Sequence, residues 1–198
     1  ENNDQKVSGV LVEPIQGEGG VIPGSKTFFK SLREICDKYS SLLIFDEVQS
    51  GIGRTGTLMA YMGYGVTPDI STLAKGLGGG IPIGATLAKK HIAEAFQPGT
   101  HGSTFGGNPL ACIVAKKVVE IISSQKVLSG VIKKTISFSK KLESLSKKYD
   151  MFSEIRTAGL WIGCDFKTIK SSDFIQSAYK EGLIAVSYTH LRAHETVV

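Results

Sequence analysis

Apolar residues are distributed along this chain in two rhythms. Residues 7–14 (VSGVLVEP) and 42–48 (LLIFDEV) are short, continuous apolar runs, the pattern of strands buried on both faces. Residues 70–74 and 84–88 are shorter strand candidates on either side of a Gly-rich turn. Helical spacing dominates elsewhere. A Gly/Pro loop at 17–24 leads to Ser25, a suitable N-cap for a helix to about Tyr39. Two further helices are predicted over 108–123 and 125–148, then two strands or one bent strand over 152–166, then a helix over 172–181. Strands alternating with helices predict an α/β fold with a mostly parallel sheet covered on both faces.

The pattern changes along its length. After about residue 124 the Gly-rich loops stop and lysine becomes frequent. This divides the chain into a larger unit over 1–123 and part of a smaller one over 124–185. Residues 186–198 (VSYTHLRAHETVV) break with what precedes them. Back-translated, 186–196 resembles a transposase-type sequencing adaptor read as protein, so native sequence is expected to end near Ala185. The opening Glu1-Asn2-Asn3-Asp4, without Met, similarly reads as the start of a fragment.

Composition narrows the function classes. With 198 residues and 41% hydrophobic content the chain can bury a core, and 23 Gly against 6 Pro argues against a linker. No apolar run approaches the roughly 20 residues of a membrane-spanning helix. The net charge of +5 rests on 23 Lys and Arg, of which four are Arg. Many lysines form pairs on predicted helices (Lys116/Lys117, Lys133/Lys134, Lys140/Lys141, Lys147/Lys148), which reads as a solvated face rather than a nucleic-acid surface. Three isolated cysteines (Cys36, Cys112, Cys164) in apolar stretches suit a reducing compartment, so a cytoplasmic protein is expected. His190 and His194 stand four apart, as in helical zinc sites, but both fall in the anomalous tail, and no metal site is assigned.

Three polar clusters follow predicted strands, where open α/β sheets bind ligands. They are Glu13–Glu18, Asp46–Gln49, and Lys75 before Gly76-Leu-Gly-Gly-Gly80. LLIFDE has the form of the acidic strand of a P-loop ATPase, but no GxxxxGK[ST] loop accompanies it. Gly51-Ile-Gly53-Arg-Thr-Gly56 matches a dinucleotide fingerprint, but too few residues follow before Gly63 for the helix that would receive a pyrophosphate. A third chemistry accounts for more residues. A carboxylate at a strand end can keep a pyridinium nitrogen protonated, making pyridoxal phosphate an electron sink. A lysine can hold that cofactor and then move a substrate proton. Adjacent glycines let the backbone approach a bulky ring.

Four runs carry a resemblance to a known family: VEPIQGEGG (12–20), LLIFDEVQSGIGRTG (42–56), PDISTLAKGLGGGIPIGA (68–85) and HGSTFGGNPLAC (101–112). In this order they resemble the class III, fold type I, pyridoxal-phosphate aminotransferases, with the closest likeness to the acetylornithine aminotransferases. TLMAYMGYGVTPDI and EIRTAGLWIGCDF (154–166) point the same way. The resemblance spans 7–185, about the C-terminal half of a family member. It implies part of the large cofactor-binding domain and part of the small C-terminal α+β domain.

The resemblance also implies roles. Lys75 would hold the cofactor and act as the proton-transfer base. Asp46 would pair with the pyridine nitrogen, Val48 would pack on the ring, and Gln49 would bond its phenolic oxygen, with Glu47 in the same segment. Thr104 would reach the cofactor phosphate of a neighbouring subunit, implying a homodimer with shared active sites, and Ser103 would lie near substrate. Glu18 resembles a carboxylate that pairs with an active-site Arg in one half-reaction. Arg54 and Arg156 are expected to make structural pairs. The implied reaction moves the δ-amino group of N-acetylornithine to 2-oxoglutarate in arginine biosynthesis. Ornithine, succinylornithine, succinyl-diaminopimelate and 4-aminobutyrate are alternative donors. The family's upstream phosphate loop, ring-stacking aromatic and substrate arginines have no counterpart in these residues, so the chain by itself is expected to be inactive.

Overall fold

The computed structural model describes residues 7–187, and the tail histidines His190 and His194 lie outside them. In chain order the elements are β1 (Gly9–Val12), β2 (Ile15–Gln16), β3 (Ile22–Pro23), α1 (Lys26–Tyr39), β4 (Leu42–Asp46), α2 (Ala60–Tyr64), β5 (Ile70–Leu73), β6 (Ala85–Ala88), α3 (Lys90–Ala93), α4 (Pro109–Ile122), α5 (Gln125–Tyr149), β7 (Phe152–Thr157), β8 (Ile162–Phe166) and α6 (Ser171–Lys180).

The main sheet has the order β1-β4-β5-β6. β1 and β5 flank β4 in parallel, and β6 runs antiparallel to β5. The reversal has a simple cause. The connection 74–84 contains only a single 3₁₀ turn, and a parallel return needs a crossover of a dozen or more residues. β2 and β3 form a small antiparallel pair within the expected loop, and residues 152–166 fold as the β7–β8 hairpin.

Helix α1 begins where Ser25 accepts a hydrogen bond from the Phe28 N–H (3.0 Å) and ends at Ser40 in the left-handed conformation, φ 54°. Phe29, Leu32 and Cys36 recur at helical spacing, so one face of α1 covers Leu43 and Phe45 of β4. Asn108 caps α4 through the Ala111 N–H, with Pro109 in the first turn. Along β4, Leu43 and Phe45 are fully buried while Leu42 and Ile44 are half-buried. On that second face Leu11 of β1 remains 65% exposed.

A second apolar cluster, Ile52, Met59, Leu73, Leu77 and Ala115, receives Val118, Val119 and Ile122 of α4. A third joins Ile15, Val21 and Ala60 to Ala158 and Trp161, fastening the β7–β8 turn to the loops at the carboxyl end of the sheet. The lysine pairs of α4 and α5 are exposed, as the sequence predicts. Cys36 is buried, but Cys112 lies on the outward side of α4 and is exposed, unlike the expectation for it. No helix of the described residues is long and apolar enough to cross a membrane.

Candidate active site

The parallel register of β4 and β5 sets Asp46 opposite Thr72. Thr72 Oγ1 donates to Asp46 Oδ1 (3.2 Å), and the Val48 N–H donates to the same oxygen (2.9 Å). One oxygen is thus fixed from two directions. Oδ2 takes no hydrogen bond from the described residues, leaving a half-buried acceptor at the strand end.

β5 ends at Leu73, and Lys75 follows in the left-handed region, φ 45°. For a side chain other than Gly this conformation costs on the order of 1–2 kcal/mol. The 3₁₀ turn Lys75–Gly78 sustains it, with the Leu77 N–H donating to the Ala74 carbonyl and Leu77 itself buried. Strain held by packing is a recurrent property of functional positions.

Lys75 opens into a cavity of about 440 Å³, which Val48, Gln49, Arg54, Leu160 and Trp161 also line. Ile52, Ile122, Val127 and Val131 give it an apolar wall. Among the described residues, no Asp or Glu lines the cavity. The structure therefore brings Val48, Gln49 and Lys75 together, with Asp46 joined to them through the Val48 N–H.

The other residues singled out by sequence lie elsewhere. Glu47 is 1% exposed, and its carboxylate accepts from Ser50 Oγ (2.8 Å), the Ala60 N–H (2.9 Å) and the Tyr61 N–H (2.8 Å). It caps the start of α2 and, although it stands in the Asp46–Gln49 segment, it does not line the cavity. Burial raises its pKa, and the three hydrogen bonds only partly oppose this. Glu18 is exposed on the β2–β3 turn. Ser103 and Thr104 are exposed in the loop preceding α4, where Ser103 Oγ accepts from the Gly106 N–H (3.0 Å).

The Gly51–Gly56 loop owes its glycines to packing. Gly53 and Gly56 have φ of 80° and 92°, and a Cβ at either would fall 2.5 Å from Ile122 or 2.3 Å from Ile132. The pattern that imitates a dinucleotide fingerprint is a tight turn pressed against α4 and α5.

The arginines divide. Arg156 pairs bidentately with Asp165 (2.6 and 2.7 Å), bonds Glu154 (2.6 Å), and donates through Nε to the Gly20 carbonyl (2.9 Å). Its expected structural role is present. Arg33 bonds Asp37 and Asp69, both at 2.7 Å. Among the described residues, the Arg54 guanidinium is bonded to the Leu160 carbonyl (3.3 Å).

Two features were missed by sequence reasoning. The Asp69 carboxylate accepts from Arg33, Lys89 and the Leu43 N–H, tying α1 and the end of β6 to β4. Burial alone would raise its pKa, but these bonds prevail and hold it at about 2. Trp161 reaches the cavity from more than a hundred residues beyond Gln49, a proximity without local signal in the sequence. Among the described residues, no cluster of three or more His, Cys, Asp or Glu could hold a metal.

The family model Aminotransferase class-III matches residues 1–197. A succinylornithine transaminase of Salmonella newport (strain SL254) is 52% identical over 186 residues, covering 92% of this chain and 46% of the relative. The crystal structure of an N-acetylornithine aminotransferase from Stenotrophomonas maltophilia K279a superposes with a TM-score of 0.84 at 38% identity, covering 92% of this chain and 48% of that one. An ornithine aminotransferase of Toxoplasma gondii, with partial occupancy of PLP at its active site, gives a TM-score of 0.80 at 33% identity, covering 92% and 44%. The chain spans about half the length of the curated relatives it matches.

Proposed function

Since the chain belongs to the class-III aminotransferases, we propose that the complete protein moves the δ-amino group of an N-acylornithine to 2-oxoglutarate, with pyridoxal phosphate as cofactor. N-acetylornithine is the donor proposed first. N-succinylornithine is the second reading, favoured by the 52% identity to a succinylornithine transaminase. The P-loop ATPase alternative is set aside by the family match and by the use of Glu47 as a buried helix cap.

The cavity beside Lys75 fits the cofactor. Its volume of about 440 Å³ lies within the range of small-molecule sites. Asp46, next to the cavity, offers a carboxylate oxygen without a partner among the described residues, and the ionisable groups that the described residues place in the wall are two cations, Lys75 and Arg54, suited to a phosphorylated ligand. When bound, the cofactor supplies an electron sink for the carbanion left by proton removal.

The chain's own residues supply the rest. Asp46, fixed by Thr72 and the Val48 N–H, would keep the pyridine nitrogen protonated. Val48 presents an apolar surface to the ring, and Gln49 donates from its amide to the ring oxygen. Lys75 Nζ would hold the cofactor and would serve as the base that moves a proton at the substrate carbon. The strained backbone sets Lys75 at the cavity wall while the buried Leu77 anchors the turn.

The exposed position of Thr104, away from this chain's cavity, suits a contact with the cofactor of a second copy in a homodimer, with Ser103 near substrate; the protein would be cytoplasmic. Residues 1–123 would belong to the large domain and 124–185 to the small one. The observation that carries the proposal is the convergence of Asp46, Val48, Gln49 and Lys75 at one strand end. A panel of donors offered to the complete enzyme with 2-oxoglutarate tests the substrate. Glutamate formed fastest from an N-acylornithine is the expected result, and preference for 4-aminobutyrate overturns it.

A further inference from the structure

The indole of Trp161 meets the cavity from the β7–β8 turn, and that turn is held on several sides. The Ala158 N–H donates to the Trp161 carbonyl (2.9 Å), which closes the turn. The Leu160 N–H donates to the Arg54 carbonyl (3.0 Å), and a methyl group on Gly159 would lie 2.3 Å from that oxygen. Further along the hairpin, Arg156 Nε donates to the Gly20 carbonyl (2.9 Å), and a methyl group on Gly163 would lie 2.4 Å from the same oxygen. The hairpin is therefore pressed against both the Gly51–Gly56 loop and the loop over 17–24. Trp161 packs with Ile15, Val21 and Ala60, so its ring has a fixed place.

A methyl group on Gly17 would lie 2.6 and 2.8 Å from Trp161 Cζ2 and Cη2, and 2.7 Å from Gln49 Oε1. The indole edge and the Gln49 side chain thus crowd one spot over Gly17, and both line the cavity beside Lys75. The Gln49 side-chain amide makes no hydrogen bond with the described residues, so packing alone orients it. A long, half-buried polar side chain without such packing samples several rotamers, and fixing it costs entropy. We propose that Trp161 is a positioning residue: the edge of its indole holds the Gln49 amide in the orientation from which its NH₂ group donates to the cofactor's ring oxygen. This rests on the aminotransferase reading, in which Gln49 serves that oxygen. A residue of the 124–185 unit then tunes a cofactor held by the 1–123 unit.

The test loads the complete enzyme with pyridoxal phosphate and follows the pH midpoint of the bound cofactor's absorption change. Donation to the ring oxygen favours its negative form, so losing that bond raises the midpoint. Gln49→Leu is expected to raise it by about half to one unit, the scale of one neutral hydrogen bond. Trp161→Phe keeps an aromatic ring beside Ile15 and Ala60 but lacks the Cζ2–Cη2 edge, and it should raise the midpoint by a similar amount. The double variant should match Gln49→Leu alone, because both changes act through one contact. Ile15→Val, in the same apolar cluster but outside the cavity wall, should lower the thermal midpoint and leave the absorption midpoint unchanged. A wild-type midpoint in Trp161→Phe, full additivity in the double variant, or an equal shift in Ile15→Val overturns the proposal. If the wild type takes up no pyridoxal phosphate, the aminotransferase reading falls and the proposal with it. A normal cofactor complex on which Trp161→Phe has no effect overturns the proposal alone.

Discussion

Replacing Glu47 with Gln separates a structural carboxylate from a catalytic one. In the folded chain Oε2 accepts from Ser50 and Ala60, and Oε1 from Tyr61. A glutamine keeps one acceptor oxygen and turns an NH₂ group toward the remaining N–H. At least one buried backbone donor is then unsatisfied, which costs about 1–3 kcal/mol. The opposing effect is release of a buried charge, which is why the loss stays at the scale of one donor. The pH dependence has a definite sign. Burial raises the folded pKa of Glu47 above its ordinary value, so between the two values the folded state holds more protons than the unfolded one. Wild-type stability from this group is therefore greatest below the ordinary carboxylate pKa and declines as pH rises toward the folded value. Glu47→Gln should lose that decline. Urea denaturation of the complete enzyme between pH 4 and 8, beside a cofactor titration, measures both effects. Lower stability with cofactor affinity kept within about twofold is expected. A tenfold loss of cofactor affinity at unchanged stability would refute the assignment of Glu47 as a helix cap.

Three further outcomes follow from the same contacts. Lys75→Ala and Lys75→Gly should both abolish amino transfer, but the Gly variant should be more stable than the Ala variant by about 1 kcal/mol in urea melts, because φ 45° suits Gly. Asp69→Asn should cost about 2 kcal/mol at neutral pH. That figure follows from a carboxylate held at about 2 against an ordinary 3.8, each unit being worth about 1.4 kcal/mol. Because the folded pKa is depressed, the wild-type advantage should be complete above pH 4–5 and fade as pH falls toward 2, seen by denaturation at stepped pH. Gly17→Ala would set a methyl group 2.6 Å from the Trp161 ring and 2.7 Å from Gln49 Oε1, so it should weaken cofactor binding several-fold in a fluorescence titration.

Much of this fold is written locally. The Ser25 and Asn108 caps, the apolar stripe of α1 and the continuous run of β4 are each decided by residues within one turn or one strand, and each forms as its local pattern predicts. Elements too short for periodicity left no trace: α2 and α3 are five and four residues long, and the β2–β3 pair is hidden in a loop rich in Gly. The direction of β6 depends on connection length, which a hydrophobic run does not report. The site divides along the same line. Asp46, Val48, Gln49 and Lys75 are legible because adjacent parallel strands end together, so two clusters distant in sequence meet. The place of Glu47 was not legible, because its partners Ala60 and Tyr61 stand 13 and 14 residues away in a helix without a pattern of its own. Arg54 and Arg156 look alike in sequence. Only the hairpin register, which sets Arg156 beside Asp165 and leaves Arg54 facing the cavity, distinguishes them.

The central claim is that Lys75 is the amine that holds the cofactor. Borohydride reduction of the pyridoxal-phosphate-loaded complete enzyme, followed by proteolysis and mass spectrometry, tests it directly. The pyridoxyl label is expected on the peptide containing Lys75 and is expected to disappear in Lys75→Ala. A label on another lysine, with Lys75 unmodified, would contradict it.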